Sequence, residues 1–149
     1  MNKAESADLI LKLYDLRREE KMRVARDWFP TFVPNSVQEF MGAMVNPETS
    51  GKLRMVISYW DMAATMVNHG AIDEAMFNES NGEHIMVFSK IEPYLEGIRE
   101  AFGNPNFLGN LEKLVMNMPN AKEVLEGRRQ MMKRMMEARA QMIQSAQSA

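Results

Sequence analysis

Residues 51–68 read GKLRMVISYWDMAATMVN, and this stretch decides the fold. On a helix at about 100° per residue, one apolar band is formed by Leu53, Val56, Ile57, Trp60, Ala63, Ala64 and Val67. The band is widened to roughly 220°, where a surface helix needs only about 100°, by Met55, Tyr59, Met62 and Met66. We therefore expect a central helix that has neighbours on at least two sides.

The chain after this helix predicts a turn and further helices. Gly70 suits the left-handed position that follows a helix end, and Asp73 can cap the next helix. Over residues 84–102, apolar side chains recur every three or four positions on both sides of Pro93. Because proline removes one helical hydrogen bond and the apolar stripe keeps its phase, the spacing favours one helix kinked at Pro93. A separate helix that starts at Ser89 is the alternative.

The first helix is predicted over residues 6–28, and its second half is unusual. Where apolar side chains are expected on the packed face, the sequence places Arg17, Glu20 and Asp27. These charges are either solvated, or they form a buried polar network with the polar strip of the central helix at Arg54 and Asp61, since buried charges require partners.

The whole chain predicts an all-α fold. No segment alternates apolar and polar residues for long, so no strand is predicted. Five to seven helices joined by short loops are typical of an antiparallel helical bundle, and 149 residues suit a single helical domain over residues 1–149. A long methionine-rich helix over residues 120–145 is expected to project from this domain or to mediate contacts.

Composition excludes several classes of site. The chain has no cysteine, which excludes disulfides, zinc–thiolate sites and iron–sulfur clusters. No signal peptide is predicted, and no apolar run is long enough to span a membrane, so we expect a cytoplasmic protein. Residues 61–103 carry two basic and eight acidic side chains, whereas residues 104–149 carry seven basic and four acidic ones. This asymmetry predicts a basic C-terminal helix that lies along an acidic middle segment. The acidic balance gives no sign of nucleic-acid binding.

The C-terminal helix is the candidate interaction surface. Methionine accounts for 16 of the 149 residues, and the predicted interface consists of Arg128, Met131, Met132, Met135, Met136, Arg139 and Met142. Flexible methionine-rich faces suit adaptable binding, which predicts a protein partner or a homodimer. Ordinary core packing is the rival interpretation, and thioether coordination of a soft metal such as copper(I) lacks an accompanying histidine or cysteine. Truncation after about Gly127 should leave a folded body that no longer associates.

The sequence gives no positive evidence for an enzyme, a catalytic residue, a metal site or a cofactor. The Glu-x-x-His motif of di-iron proteins and the common nucleotide-binding and hydrolase motifs are missing. His84 is the best single candidate for acid–base chemistry, although a helix-end histidine is more often structural. The alternative to an interaction module is a binder of a small apolar ligand. Its cavity would be lined by Trp60, Met62, Met66 and Phe88, with Asp61 or His84 as a polar contact.

Two further stretches are LILKLYDLRREE (Leu9–Glu20) and YWDMAATMVNHGAIDEAMF (Tyr59–Phe77). They resemble a family of small bacterial helical proteins of unknown function. The likeness lies in a buried Tyr-Trp-Asp helix, a glycine turn, and Ile-Asp-Glu at the start of the next helix. The resemblance implies an all-helical fold and supplies no catalytic residues, and the methionine-rich tail lies outside it.

Overall fold

The computed structural model describes residues 2–148, and these residues are helical with no strand. The helices are Lys3–Leu16 (α1), Glu20–Trp28 (α2), Val37–Val45 (α3), Ser50–Asn68 (α4), Glu74–Ser80 (α5), Glu83–Ile91 (α6), Leu95–Phe102 (α7), Gly109–Met116 (α8) and Ala121–Ser148 (α9). Two 3-10 turns occupy Phe29–Thr31 and Glu92–Tyr94. The all-α prediction is confirmed. Within residues 2–148, no helix is both long enough and apolar enough to cross a membrane.

Helix α4 is the centre of the structure, as the sequence predicts. It packs against α2, α3, α5 and α8, and its predicted apolar band, including Trp60, is buried. Tyr59 is also buried, and its hydroxyl donates a hydrogen bond to the Leu13 carbonyl of α1. The prediction is wrong for Met62, which lies at the edge of the band and is 41% exposed.

The predicted turn after α4 is confirmed. Gly70 has φ +83°, and its N–H donates to the Val67 carbonyl, while the next N–H reaches Met66. The Asp73 carboxylate accepts the N–H of Met76 at 2.9 Å and so caps α5. Local side-chain and backbone chemistry accounts for this turn without any distant partner.

Two predicted helices are divided, so the structure has more helices than the five to seven predicted. The segment predicted as one helix over residues 6–28 breaks between α1 and α2, where the Glu19 carboxylate accepts the N–H of Met22 and starts a new helix. Around Pro93 the chain stays helical from Glu83 to Phe102 but tightens into the 3-10 turn that separates α6 from α7.

Helix α9 has a buried beginning and an exposed remainder. Ala121 and Leu125 are buried, and this part of α9 packs against α6 and α8. All residues from 133 to 148 are exposed. Residues 133–148 are called the arm below.

Candidate functional site

The residues predicted to line an apolar ligand site lie in different surroundings. Trp60 and Phe88 are fully buried in the core, and Met62 lies on the outer surface. Asp61 uses Oδ1 to accept the backbone N–H of Leu111 at 2.9 Å, which fixes the start of α8 to α4.

Trp60 and His84 are brought together, whereas Met66 is half-buried elsewhere on α4. The ring centroids of Trp60 and His84 are 5.6 Å apart, and Phe77 packs edge-on against His84 at 4.9 Å. Neither of the two surface pockets described below is lined by any residue of the predicted ligand set. The contacts of Trp60 and His84 are those of packed core residues.

A polar cluster surrounds Glu83 at the start of α6. Arg26 of α2 donates to both carboxylate oxygens at 3.0–3.1 Å, and the Trp60 indole N–H donates to Oε2 at 2.8 Å. The pKa of Arg26 is raised, chiefly by its hydrogen bond to Glu83. Charge-assisted, bidentate pairs of this kind are among the stronger polar contacts in proteins. The cluster therefore ties α2, α4 and α6 together.

Arg17 joins this cluster in place of the partners that the sequence suggested. Its guanidinium lies 5.0 Å above the Tyr14 ring and 5.3 Å above the Trp60 ring, and Nη1 donates to Asn81 Oδ1 at 2.9 Å. Of the two alternatives that the sequence left open, this side chain does not form the network with the α4 strip: it binds Asn81, and Asp61 accepts from Leu111 of α8. The other two charges on that face, at Glu20 and Asp27, are exposed.

His84 is buried in a form that does not suit acid–base catalysis. Only 1% of the residue is exposed, and Nε2 lies 2.9 Å from Asn78 Oδ1, while Nδ1 is buried with no hydrogen-bond partner among the described residues. Burial, together with the nearby charges of Arg128 and Arg17, lowers the pKa of His84 to about 4. The imidazole is therefore neutral at pH 7 and enclosed by the core.

Lys90 is a buried charge that the sequence analysis did not find. Its Nζ donates to the carbonyl oxygens of Phe29, Pro30 and Phe32 at 2.9, 3.3 and 2.8 Å, and it lies 4.9 Å from the Phe29 ring centroid. Burial lowers the pKa of Lys90 to about 8. No local pattern could reveal this site, because the three carbonyl groups come from a turn about 60 residues earlier in the chain.

Two adjacent arginines attach α9 to α6. Arg128 Nη1 donates to the Gly82 carbonyl at 3.2 Å. Arg129 donates from Nε to the Ser89 carbonyl at 2.8 Å, and its Nη2 pairs with Glu92 at 3.1 Å. The predicted attraction between a basic C-terminal helix and an acidic middle segment is therefore realised at this point.

Beyond this attachment, the apolar face of α9 has no cover. The face that buries Ala121 and Leu125 continues along the helix, but its side chains become exposed. The exposed fractions run from 45% to 74% for Met131, Met135, Met136, Met142 and Ile143. Met132 is half-buried, and Arg139 is exposed within the same face. Among the residues of the predicted interface, Arg128 is the one whose side chain forms a hydrogen bond with the body.

Two open pockets lie on the body, and neither is apolar throughout. The first is a groove of about 660 Å³ along α7, with Leu95 at its floor and with Glu96, Glu100 and Pro105 along its walls. The second, of about 450 Å³, is lined by four charged side chains and Val24 of α2. Within residues 2–148, no three histidine, aspartate or glutamate side chains are grouped so as to hold a metal ion.

The model of one protein family, described as Domain of unknown function (DUF4760), matches residues 3–118. The chain belongs to this family. Searches of curated proteins and of solved structures found no match. The resemblance to a small helical family of unknown function is thereby confirmed, and both stretches that carry it lie inside the DUF4760 match.

The end of the DUF4760 match separates the buried polar groups of the body from the exposed apolar face of α9. The match covers α1–α8 and ends before α9 begins at Ala121. The polar cluster around Glu83 and the buried Lys90 lie inside the DUF4760 region, where they connect helices of the body. The exposed methionine face lies outside it.

Proposed function

We propose that this DUF4760 protein is a non-catalytic interaction module that self-associates through α9. Its body, which we take to be an antiparallel bundle because the connections are short, carries the arm and holds it through Arg128 and Arg129. One observation supports the proposal above all others. The packed face of α9 continues past the body as five large apolar side chains that remain in contact with solvent.

The amount of exposed apolar surface sets the strength that we expect. Covering a half-exposed methionine or isoleucine contributes about 1 kcal/mol, so two α9 helices with five such residues each would gain about 10 kcal/mol. Association itself costs about 4–15 kcal/mol in lost freedom. At the low end of that cost, about 4 kcal/mol, the balance is about 6 kcal/mol, which corresponds to a weak dimer with a Kd on the order of tens of micromolar. Association should therefore depend strongly on concentration.

Sedimentation velocity of the full chain over a concentration series tests the proposal. The variant M135E/M142E places two carboxylates on the apolar face and should leave only monomer. The matched control Q141E/Q144E adds the same charge to the opposite side of α9 and should dimerise like the wild type. Monomeric wild-type protein at the highest concentration would refute self-association, as would equal behaviour of the two variants.

Truncation offers a second test, with a cut that differs from the one predicted from sequence. A cut after Gly127 removes Arg128 and Arg129, which contact the body. A cut after Gln130 keeps both, and it should leave a folded monomer. Unfolding of this shorter chain would show that the arm belongs to the core.

The binding of a small apolar ligand stays a prediction without a supporting contact. Native mass spectrometry separates it from self-association, because a co-purified small molecule would favour the ligand and a dimer mass would favour the arm. A different protein partner, a cytoplasmic location and a bacterial source likewise stay predictions.

A further inference from the structure

The arm carries positive charge that the body does not neutralise. Residues 133–148 contain Lys133, Arg134 and Arg139, against the single acid Glu137. None of these three basic side chains forms an ion pair with the described residues. The sequence predicted that the basic helix would lie along the acidic middle of its own chain, but this holds for Arg129 and Glu92 alone.

The groove along α7 carries the complementary charge. Glu96 and Glu100 lie one helical turn apart on α7, and both are exposed. Neither takes part in an ion pair or a side-chain hydrogen bond among the described residues. Arg99, between them in sequence, is already held by Glu112 at 2.9 Å and by the Phe107 carbonyl at 3.0 Å. The groove therefore has free carboxylates and no free cation of its own.

The arm cannot reach this groove within one chain. Arg129 is fixed to Glu92, at the edge of the groove, and Arg139 lies ten residues further along the same continuous helix. That separation is about 15 Å along the helix axis. Because residues 133–148 are exposed throughout, the arm leads away from the body, and only a second copy can bring its groove to Arg139.

Pairing of two arms with each other satisfies these charges poorly. Arg139 lies within the apolar face of α9, whereas Glu137 lies about 160° away around the helix. Two paired arms would bring the two Arg139 side chains into one apolar seam with no carboxylate beside them, and like charges at such a site are unfavourable.

We propose that the arm of one copy docks in the α7 groove of a second copy, with Arg139 against Glu96 and Glu100. This inference rests on the proposed self-association and names its second surface. The methionines that flank Arg139 would cover Pro105, which is exposed at the wall of the groove, since thioether side chains adapt to irregular surfaces. Each copy offers one arm and one groove, so reciprocal exchange closes a twofold dimer.

Charge reversal in the full chain tests the docking site. R139E and E96K/E100K should each weaken the dimer by about tenfold or more. The chain that carries all three changes should recover the wild-type Kd, because the arm position is then negative, the groove is positive, and the two still attract each other. E48K/E79K changes two exposed acids elsewhere and should have no effect. Circular dichroism checks that each variant is folded, and E96Q/E100Q replaces the lysine variant if that one is not.

Salt distinguishes the two modes of pairing by the sign of its effect. Opposite charges in the groove predict a weaker dimer as sodium chloride rises, because salt screens attraction. Two net-positive arms packed together predict a stronger dimer. Loss of the dimer in M135E/M142E with no effect of E96K/E100K would refute the groove and leave self-association standing. Monomeric wild-type protein would refute both.

Discussion

Lys90 gives the protein an unusual response to alkaline pH. The pKa of Lys90 is lowered by burial from 10.5 to about 8. Below pH 8 the side chain is charged in both the folded and the unfolded chain. Between pH 8 and pH 10.5 the folded chain releases the proton while the unfolded chain keeps it, so the free energy of unfolding must rise with pH.

The expected gain follows from the size of the shift. A pKa difference of one unit corresponds to about 1.4 kcal/mol. Allowing for partial access of solvent to the ammonium group, deprotonation of Lys90 should raise the free energy of unfolding by about 1 kcal/mol at pH 9 and by about 2 kcal/mol at pH 10. Tyr59 limits the range, because burial raises its pKa to about 12. An unfolded tyrosine ionises from about pH 10 upward, so stability falls there.

Urea denaturation from pH 7 to pH 10, with wild type and K90M in parallel, measures this effect. K90M cannot titrate at this position, so the difference between the two chains isolates Lys90 from all other groups. At a typical dependence of about 2 kcal/mol per molar urea, the difference in midpoint should change by about 1 M over the range. If the two chains keep a constant difference, the ammonium group is not held as the structure shows.

Three further predictions concern the body. Burial lowers the pKa of His84 to about 4, so protonation of His84 should lower the free energy of unfolding by about 3 kcal/mol as pH falls from 6.5 to 4. The stability of wild type relative to His84→Gln measures this effect, and a difference that does not change with pH contradicts it. Glu83→Gln weakens the contacts to its arginine and tryptophan partners and should cost about 1–3 kcal/mol, seen as a lower urea midpoint; an unchanged midpoint would argue against the cluster. Gly97→Ala should cost about 1–3 kcal/mol, because its Cβ would lie 2.6 Å from a methyl carbon of Val37 on α3. The control Gly127→Ala meets nothing within 4 Å and should stabilise α9 by about 0.5–1 kcal/mol, so equal thermal shifts for the two alanine variants would contradict the close contact.

Sequence alone predicts the parts of this fold that local chemistry determines. The helical spacing of apolar side chains in residues 51–68 identified α4. The turn at Gly70 and the cap at Asp73 followed from the conformations that those residues favour. The exposed face of α9 was also predictable, because methionines at helical spacing continue past the last position that the body can cover. In these segments each residue depends on neighbours within one or two turns.

The failures share a different cause, which is dependence on distant residues. The break between α1 and α2 combines the local cap at Glu19 with Arg17, whose partners Trp60 and Asn81 lie on other parts of the fold. Glu83 and Arg26 are 57 positions apart, so no spacing rule could pair them. Lys90 reads as an ordinary charge at a helix end until the carbonyl groups of another turn are placed around it. Tertiary packing, not local preference, determines these positions.

The composition of the arm supports a role in contact with a partner. Residues 133–148 read KRMMEARAQMIQSAQS, with no glycine or proline and one β-branched residue, so nearly every position favours a helix. Isolated helices of this length are marginal in water because the first turn is costly to form. Here the buried turn at Ala121–Leu125 supplies that nucleus, and the arm extends from it as a helix that covers no part of its own body. A segment that maintains helical order and an apolar face without burying it in the monomer gains stability when a second surface covers that face. The α7 groove, with its free carboxylates, is the surface of this chain whose charge matches the arm.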